Sequence, residues 1–299
     1  MKKTSILLSA IILIAAACEQ KQQEAQTVDT TSVQQQIQEP VVSLEEVWRS
    51  DSTFQTPESV LLNSDKNILY VSNVNGKPDE KNNKGFISQL GLDGKIINLE
   101  WVKGLHAPKG MGYFNGKLYV TDIDKLIEID TEKGKITKSY PVAGSKFLND
   151  IFVDKDGSVF ISDSHTHKIH VFKDGKITEW LSEGLSEPNG IYIIDNTLYL
   201  ASMGSQDFKA FNMETKKDTV LGTGLGAGDG VIHTGEGESF VVSNWHGQIF
   251  YISNGQTIKL LDTIEQKINA ADIEYIKDQN LVLVPTFFDN RVVAYRLKK

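Results

Sequence analysis

Residues 147–171 have the sequence FLNDIFVDKDGSVFISDSHTHKIHV. Within them, an apolar run at 159–161 follows the turn dipeptide Asp156-Gly157 and precedes a second apolar run at 169–171. Short runs rich in β-branched and aromatic residues, separated by Gly, Asp or Ser, are typical of β-strands joined by tight turns. The stretch therefore predicts antiparallel strands, and the rest of the chain repeats its pattern.

The pattern recurs six times. The positions that open the repeats are Glu58, Lys109, Asn149, Asn189, Asp229 and Ala271, spaced by 51, 40, 40, 40 and 42 residues. A polar insertion at 75–84 explains the one long interval. A period near 40 with several strands per unit is typical of a propeller, and helical periodicity is not sustained after residue 45. The sequence predicts an all-β fold, a six-bladed β-propeller with about four strands per blade.

The two ends of this domain, 42–299, indicate how the ring closes. Residues 45–50, EEVWRS, resemble residues 177–182, ITEWLS, which end the third repeat, whereas the sixth repeat stops after its third strand. We therefore expect an N-terminal strand to complete the last blade and to cover its open edge.

Residues 1–17 have the layout of a secretory signal: two lysines, an apolar stretch and small residues directly before Cys18. The segment resembles a bacterial lipoprotein signal, which implies acylation of Cys18 and a lipid anchor in the bacterial cell envelope, in the outer membrane. The alternative is an ordinary signal followed by an unmodified thiol. Residues 18–41 are Gln-rich and poor in large apolar residues, so they predict a flexible tether.

Composition excludes several function classes. A net charge of −8 without a basic stripe argues against nucleic acid as a partner. Cys18 is the only cysteine, so disulfides and cysteine catalysis are not available to the domain. The sequence contains no Gly-x-Ser-x-Gly elbow, so it gives no support to a serine hydrolase. The sequence does not predict an oligomeric state.

Four of the repeat-opening residues are oxygen donors: Glu58, Asn149, Asn189 and Asp229. Equivalent positions of successive blades converge on the central channel of a propeller. Carboxylate and amide oxygens suit Ca²⁺ better than Zn²⁺. The sequence therefore predicts one divalent cation, Ca²⁺ first and Mg²⁺, Mn²⁺ or Zn²⁺ as alternatives. Taken singly, Asn189-Gly190 and Asp229-Gly230 would each be ordinary turn dipeptides.

The segments around these four residues resemble the senescence marker protein, regucalcin and gluconolactonase family. The resemblance is carried by Pro57-Glu58-Ser59, Asn149-Asp150, Pro188-Asn189-Gly190 and Asp229-Gly230. It implies that Glu58, Asn149, Asn189 and Asp229 hold the metal and that Asp229 is the catalytic base or nucleophile. Similar constellations occur in paraoxonase-type lactonases and in diisopropyl-fluorophosphatase-type hydrolases.

One position departs from that family. Phe147 stands where the sugar lactonases commonly have a substrate-binding Arg, and Lys109 is a candidate to replace the positive charge. Phe147, Trp245 and Phe287 favour a more apolar small-molecule substrate, and His246 is a further candidate substrate-binding residue.

These observations predict a divalent-metal-dependent hydrolase of a small lactone or ester. The alternative is a non-catalytic propeller, similar to proteins built of NHL repeats, that binds a glycan, peptide or protein at the cell envelope. Two other groups are expected to be structural. Asp122 and Asp163 end strands in equivalent repeats, and His165 and His167 lie in a hairpin turn.

Overall fold

The computed structural model describes residues 42–299, and these form the predicted six-bladed β-propeller of six four-stranded antiparallel sheets. The expected signal segment 1–17 and the tether 18–41, including Cys18, lie outside the described residues. Within 42–299, no helix is long and apolar enough to cross a membrane.

The strands follow the repeat. The first is β1 (Ser43–Arg49). Blade 1 contains β2 (Pro57–Asn63), β3 (Ile68–Asn73), β4 (Gly85–Gly91) and β5 (Ile96–Leu105). Blade 2 contains β6 (Pro108–Phe114), β7 (Lys117–Asp122), β8 (Lys125–Asp130) and β9 (Lys135–Pro141). Blade 3 contains β10 (Leu148–Val153), β11 (Val159–Asp163), β12 (Lys168–Lys173) and β13 (Lys176–Leu181).

Blade 4 contains β14 (Pro188–Ile194), β15 (Thr197–Ser202), β16 (Asp207–Asn212) and β17 (Asp218–Thr223). Blade 5 contains β18 (Gly228–His233), β19 (Ser239–Asn244), β20 (Gln248–Ser253) and β21 (Gln256–Asp262). Blade 6 contains β22 (Glu274–Ile276), β23 (Leu281–Pro285) and β24 (Val292–Lys298). Two short 3-10 turns, Lys277–Gln279 and Phe287–Asp289, flank β23.

The N-terminal strand closes the ring as predicted. β1 pairs antiparallel with β24, so the sixth sheet has the order β1-β24-β23-β22. Trp48 packs against a core cluster that includes Phe54, which precedes blade 1, Val60 of blade 1 and Leu283 of blade 6. The two ends of the domain 42–299 are therefore joined both by a ladder and by an apolar contact between blades.

The inner strands carry the feature that forms the site. In five blades the pairing register shifts at the repeat-opening position, for example between Pro57 and Ser59 and between Pro188 and Ile191. A β-bulge of this kind bends the strand and re-aims its side chains. The channel-facing residues of blades 1 to 5 therefore lie within bulges rather than in regular ladder positions.

Hydroxyl groups on the second strands satisfy the backbone that the bulges release from the ladder. The N–H groups of Ser59, Asp150 and Gly230 donate to the hydroxyls of Ser72, Ser162 and Ser243 at 2.9, 2.9 and 2.8 Å. Buried backbone groups must find such partners, because an unpaired one costs about 1–3 kcal/mol.

Candidate metal centre at the channel mouth

One cavity of about 220 Å³ brings the predicted site residues together. Its lining comprises Glu58, Pro78, Lys109, Phe147, Asn149, Asn189, Met203, Asp229, Trp245 and Phe287. All four predicted metal ligands are present, together with three of the four predicted substrate-binding residues. His246 is not among the lining residues, and its backbone N–H donates to Asn244 Oδ1 at 3.0 Å.

The four oxygen-donor residues are buried, and two of their atoms lack hydrogen-bond partners. Asn189 Nδ2 donates to Asp229 Oδ1 at 3.2 Å, whereas Asn189 Oδ1 has no partner. Glu58 Oε2 is also buried without a partner. Buried polar atoms are normally hydrogen-bonded, so each of these two calls for an explanation. A cation bound at the cavity would provide one.

Electrostatics at the site disfavour the ionised acids. Burial raises the pKa of Glu58 well above its ordinary value, the charges of Asp229 and Asp272 raise it further, and Lys109 opposes them. Burial likewise raises the pKa of Asp229, the charge of Asp272 adds to it, and the hydrogen bond from Asn189 opposes it. A divalent cation would stabilise both carboxylates in their ionised form.

The donor set fits a hard cation. It contains two carboxylates and two amides, which are the ligand types that Ca²⁺ and Mg²⁺ accept. A different kind of metal site, built from three or more His, Cys, Asp or Glu side chains, is not found within residues 42–299. In particular His165 stacks on Phe147 with centroids 4.4 Å apart, and His167 Nδ1 accepts the N–H of Glu187 at 2.9 Å.

Lys109 is directed at carbonyl oxygens. Its Nζ donates to Pro78 O at 2.8 Å and to Ala107 O at 3.2 Å, and it lies 4.3 Å from the centroid of Phe147. The side chain is 1 % exposed, and burial lowers its pKa to about 8 against the opposing charge of Glu58. Pro78 belongs to the insertion 75–84, which therefore contributes a wall of the cavity.

The aromatic wall is fixed by packing and by backbone hydrogen bonds. Trp245 and Phe287 form an edge-on pair with centroids 4.7 Å apart, and Phe287 is 2 % exposed. The backbone N–H of Phe147 donates to Asp163 Oδ1 at 3.0 Å. Asp122 similarly accepts the N–H of Ala107 at 2.7 Å. The two strand-ending aspartates thus position the loops that lead into the inner strands.

Three glycines that follow channel positions have a role that sequence analysis missed. Gly110, Gly190 and Gly230 lie within inner strands, where neighbouring strands approach so closely that a Cβ would collide with them. At Gly190 the collision would be with the carbonyl oxygen of Asp229, and at Gly110 with Asp150 Cα at 2.5 Å. The alternative interpretation of Asn189-Gly190 and Asp229-Gly230 as turn dipeptides is therefore wrong, because both lie in strands. The signal was available, because glycine follows the channel position in three of six repeats.

Two further acids occupy the channel behind the site. Asp150 accepts the N–H groups of Ile151 and Ile191 at 2.6 and 2.7 Å, and Asp272 accepts the hydroxyl of Ser59 at 2.5 Å. Both acids line a separate cavity of about 310 Å³ formed by the continuing inner strands. They hold adjacent inner strands together, and the charges of both raise the pKa of Glu58, while Asp272 also raises that of Asp229.

Comparison with known proteins identifies the fold of this chain and nothing beyond the fold. No family model matches the sequence, and no curated protein matches it. The fold is similar to that of a streptogramin B lyase (TM-score 0.61, 14% identity, 86% of this chain and 97% of that one). It is also similar to virginiamycin B lyase from Staphylococcus aureus (0.62, 17%, 86% and 99%) and to a chain of a nidogen/laminin complex (0.59, 15%, 73% and 84%). This chain therefore shares its six-bladed propeller fold with lyases and with a chain found in a protein–protein complex.

Proposed function

We propose that this protein is a divalent-metal-dependent hydrolase of a small lactone or ester, with Ca²⁺ held by Glu58, Asn149, Asn189 and Asp229. The observation that carries the proposal is the pair of buried oxygens without partners, Glu58 Oε2 and Asn189 Oδ1, in a cavity lined by four oxygen-donor residues from four blades. Seven side-chain atoms within residues 42–299 are buried without a partner, and a propeller that served only as a scaffold would have no physical reason to place two of them in one cavity with two further oxygen donors.

Neighbouring contacts hold the proposed ligands in position. Asn149 Nδ2 donates to Ser164 Oγ at 3.3 Å, and that hydroxyl donates to Pro188 O at 2.8 Å, which orients the Asn149 amide. Asn189 Nδ2 donates to Asp229 and to Gly228 O at 3.4 Å. Such second contacts fix ligand geometry and tune metal affinity.

The chemistry divides between the ion and the protein. When bound, the cation polarises the substrate carbonyl as a Lewis acid. Asp229 removes a proton from water as the water oxygen bonds to the carbonyl carbon. The ring or ester C–O bond then breaks, and the proton passes to the leaving oxygen. The apolar walls limit the access of other water, which strengthens the electrostatic interactions within the cavity.

Metal dependence is tested first on the protein and on the variants Asp229→Ala and Asn189→Ala. We expect a stoichiometric divalent ion by elemental analysis and a rise in Tm on adding Ca²⁺ to the chelated protein, both lost in the two variants. The exposed Asp51→Ala variant is the matched control and should keep both. An ion-free protein that does not respond to Ca²⁺ would reject the metal site and favour the binding propeller.

The reaction type is tested with lactones and esters in H₂¹⁸O. Hydrolysis incorporates one ¹⁸O atom into the acid product, and this is the expected result. A base beside a polarised carbonyl can also remove a proton from carbon, and the fold is shared with lyases. An unsaturated product without ¹⁸O would therefore replace hydrolysis by elimination at the same site.

A further inference from the structure

Beyond the oxygen donors, the cavity lining is almost wholly apolar. Five of the remaining six residues are Pro78, Phe147, Met203, Trp245 and Phe287. They come from the insertion of blade 1 and from blades 3, 4, 5 and 6 or the loops beside them. An apolar surface assembled from so many separate elements is a property of the cavity, not of one exposed loop.

The sixth residue, Lys109, does not provide a free cation for a ligand. Its ammonium group donates to two carbonyl oxygens, at Pro78 and Ala107, and faces the ring of Phe147. A substrate carboxylate or a set of hydroxyls would have to displace these contacts. A polyhydroxylated ligand would also bury hydroxyl groups against Met203, Phe147 and Phe287, which offer them no strong partners.

The volume limits the size of the ligand. About 220 Å³ lies below the range of roughly 300–1,000 Å³ that is typical of small-molecule pockets. The edge-on contact of Trp245 with the buried Phe287 fixes one side, and Asn269 Nδ2 holds the Trp245 carbonyl at 2.7 Å. The cavity is therefore suited to one compact ring or a short alkyl chain.

We infer that this cavity takes a ligand with a compact, uncharged apolar or aromatic group on its lactone ring or ester, and that it discriminates against polyhydroxylated sugar-acid lactones. This inference rests on the proposed function for the reaction itself. The selectivity is carried by Phe147, Trp245 and Phe287. Aromatic side chains gain affinity from a ring partner beyond the area that they bury.

The test uses lactams, which keep the carbonyl and resist hydrolysis. Binding of 5-phenyl-2-pyrrolidinone and of gluconolactam to the protein is measured by calorimetry, with Ca²⁺ and with chelator. We expect the phenyl lactam to bind at least about tenfold more tightly in both conditions. Trp245→Ala should weaken its binding by about tenfold. Equal or tighter binding of gluconolactam, or no binding of either compound, would overturn the inference.

A matched tryptophan and a kinetic comparison make the result specific. Trp180 packs on Phe160 and Lys216 away from the cavity, so Trp180→Ala should leave phenyl-lactam binding unchanged. An equal loss in Trp180→Ala and Trp245→Ala would also count against the inference. Turnover of glucono-δ-lactone in preference to γ-phenyl-γ-butyrolactone would overturn the inference and support the proposed function. Selective phenyl-lactam binding without turnover of any lactone or ester would support the apolar cavity and reject the hydrolase.

Discussion

Replacing Gly190 by alanine should damage the site through one methyl group. The added Cβ would overlap the carbonyl oxygen of Asp229 and lie 3.0 and 3.1 Å from the carbonyl carbons of Asp229 and Gly230. These are backbone atoms of the neighbouring inner strand, so no side-chain rotation relieves the overlap. Because real Cβ atoms essentially never approach other atoms closer than 3.0 Å, the two strands must separate by about 1 Å.

Two magnitudes follow from this displacement. Overpacking of a rigid core costs about 1–3 kcal/mol of unfolding free energy, or about 2–10 °C in Tm for a domain of this size. Asp229 is also a proposed metal ligand, and changes that disturb the orientation of a ligand typically reduce metal affinity by about 10–100-fold. Urea unfolding of the chelated protein measures the first effect, and calorimetric titration with Ca²⁺ measures the second.

Gly175→Ala is the control that separates the two effects. Gly175 has φ 79° and nothing within 4 Å of a built Cβ, so alanine there is strained without a collision. The strain should cost about 1–2 kcal/mol and leave Ca²⁺ affinity unchanged. The argument fails if Gly190→Ala retains normal Ca²⁺ affinity, or if Gly175→Ala loses as much affinity as Gly190→Ala.

Two further predictions concern the scaffold. Trp48→Ala should lower the unfolding free energy of the whole ring by about 2–4 kcal/mol, seen as one cooperative urea transition. The exposed Val47→Ala on the same strand should change the unfolding free energy little. A separate early transition in Trp48→Ala would contradict the joint closure of blades 6 and 1. Burial raises the pKa of Glu274, although hydrogen bonds from the N–H groups of Leu62 and Tyr275 oppose the shift. Because the pKa is higher in the folded than in the unfolded protein, Glu274 favours folding at low pH, and this stabilisation is lost as pH rises through the folded-state pKa. Glu274→Gln should therefore flatten the decline of the urea midpoint with rising pH, and the exposed Glu236→Gln should follow the wild type. Equal slopes of urea midpoint against pH in all three proteins would refute this role of Glu274.

The repeat period was sufficient to predict the propeller because every blade buries the same strands. The similarity of residues 45–50 to 177–182 likewise predicted closure, since each segment supplies an outer strand. The convergence of Glu58, Asn149, Asn189 and Asp229 on one cavity followed from their equivalent repeat positions.

The contacts of Lys109 could not be predicted in the same way. Its partner Pro78 lies in the insertion 75–84, which has no counterpart in the other repeats. The role of Gly190 was obscured for a different reason. Asn-Gly is a turn signal in local sequence, whereas here the glycine is required by the distance between two strands that are 40 residues apart.

The environments of the buried acids distinguish Asp229 from Asp150 as the candidate base. Four blades have Ser or Thr one residue before the end of the second strand, but blade 4 has Ala201. The N–H of Ile191 in blade 4 instead donates to Asp150 of blade 3. Asp150 also accepts the N–H of Ile151, the next residue in its own strand. Its oxygens are therefore engaged by backbone that the bulges release. Asp229 instead receives its hydrogen bond from the side chain of Asn189 and lines the cavity. Of these two acids, which occupy adjacent positions of the repeat in different blades, only Asp229 is placed to exchange a proton with a ligand in that cavity.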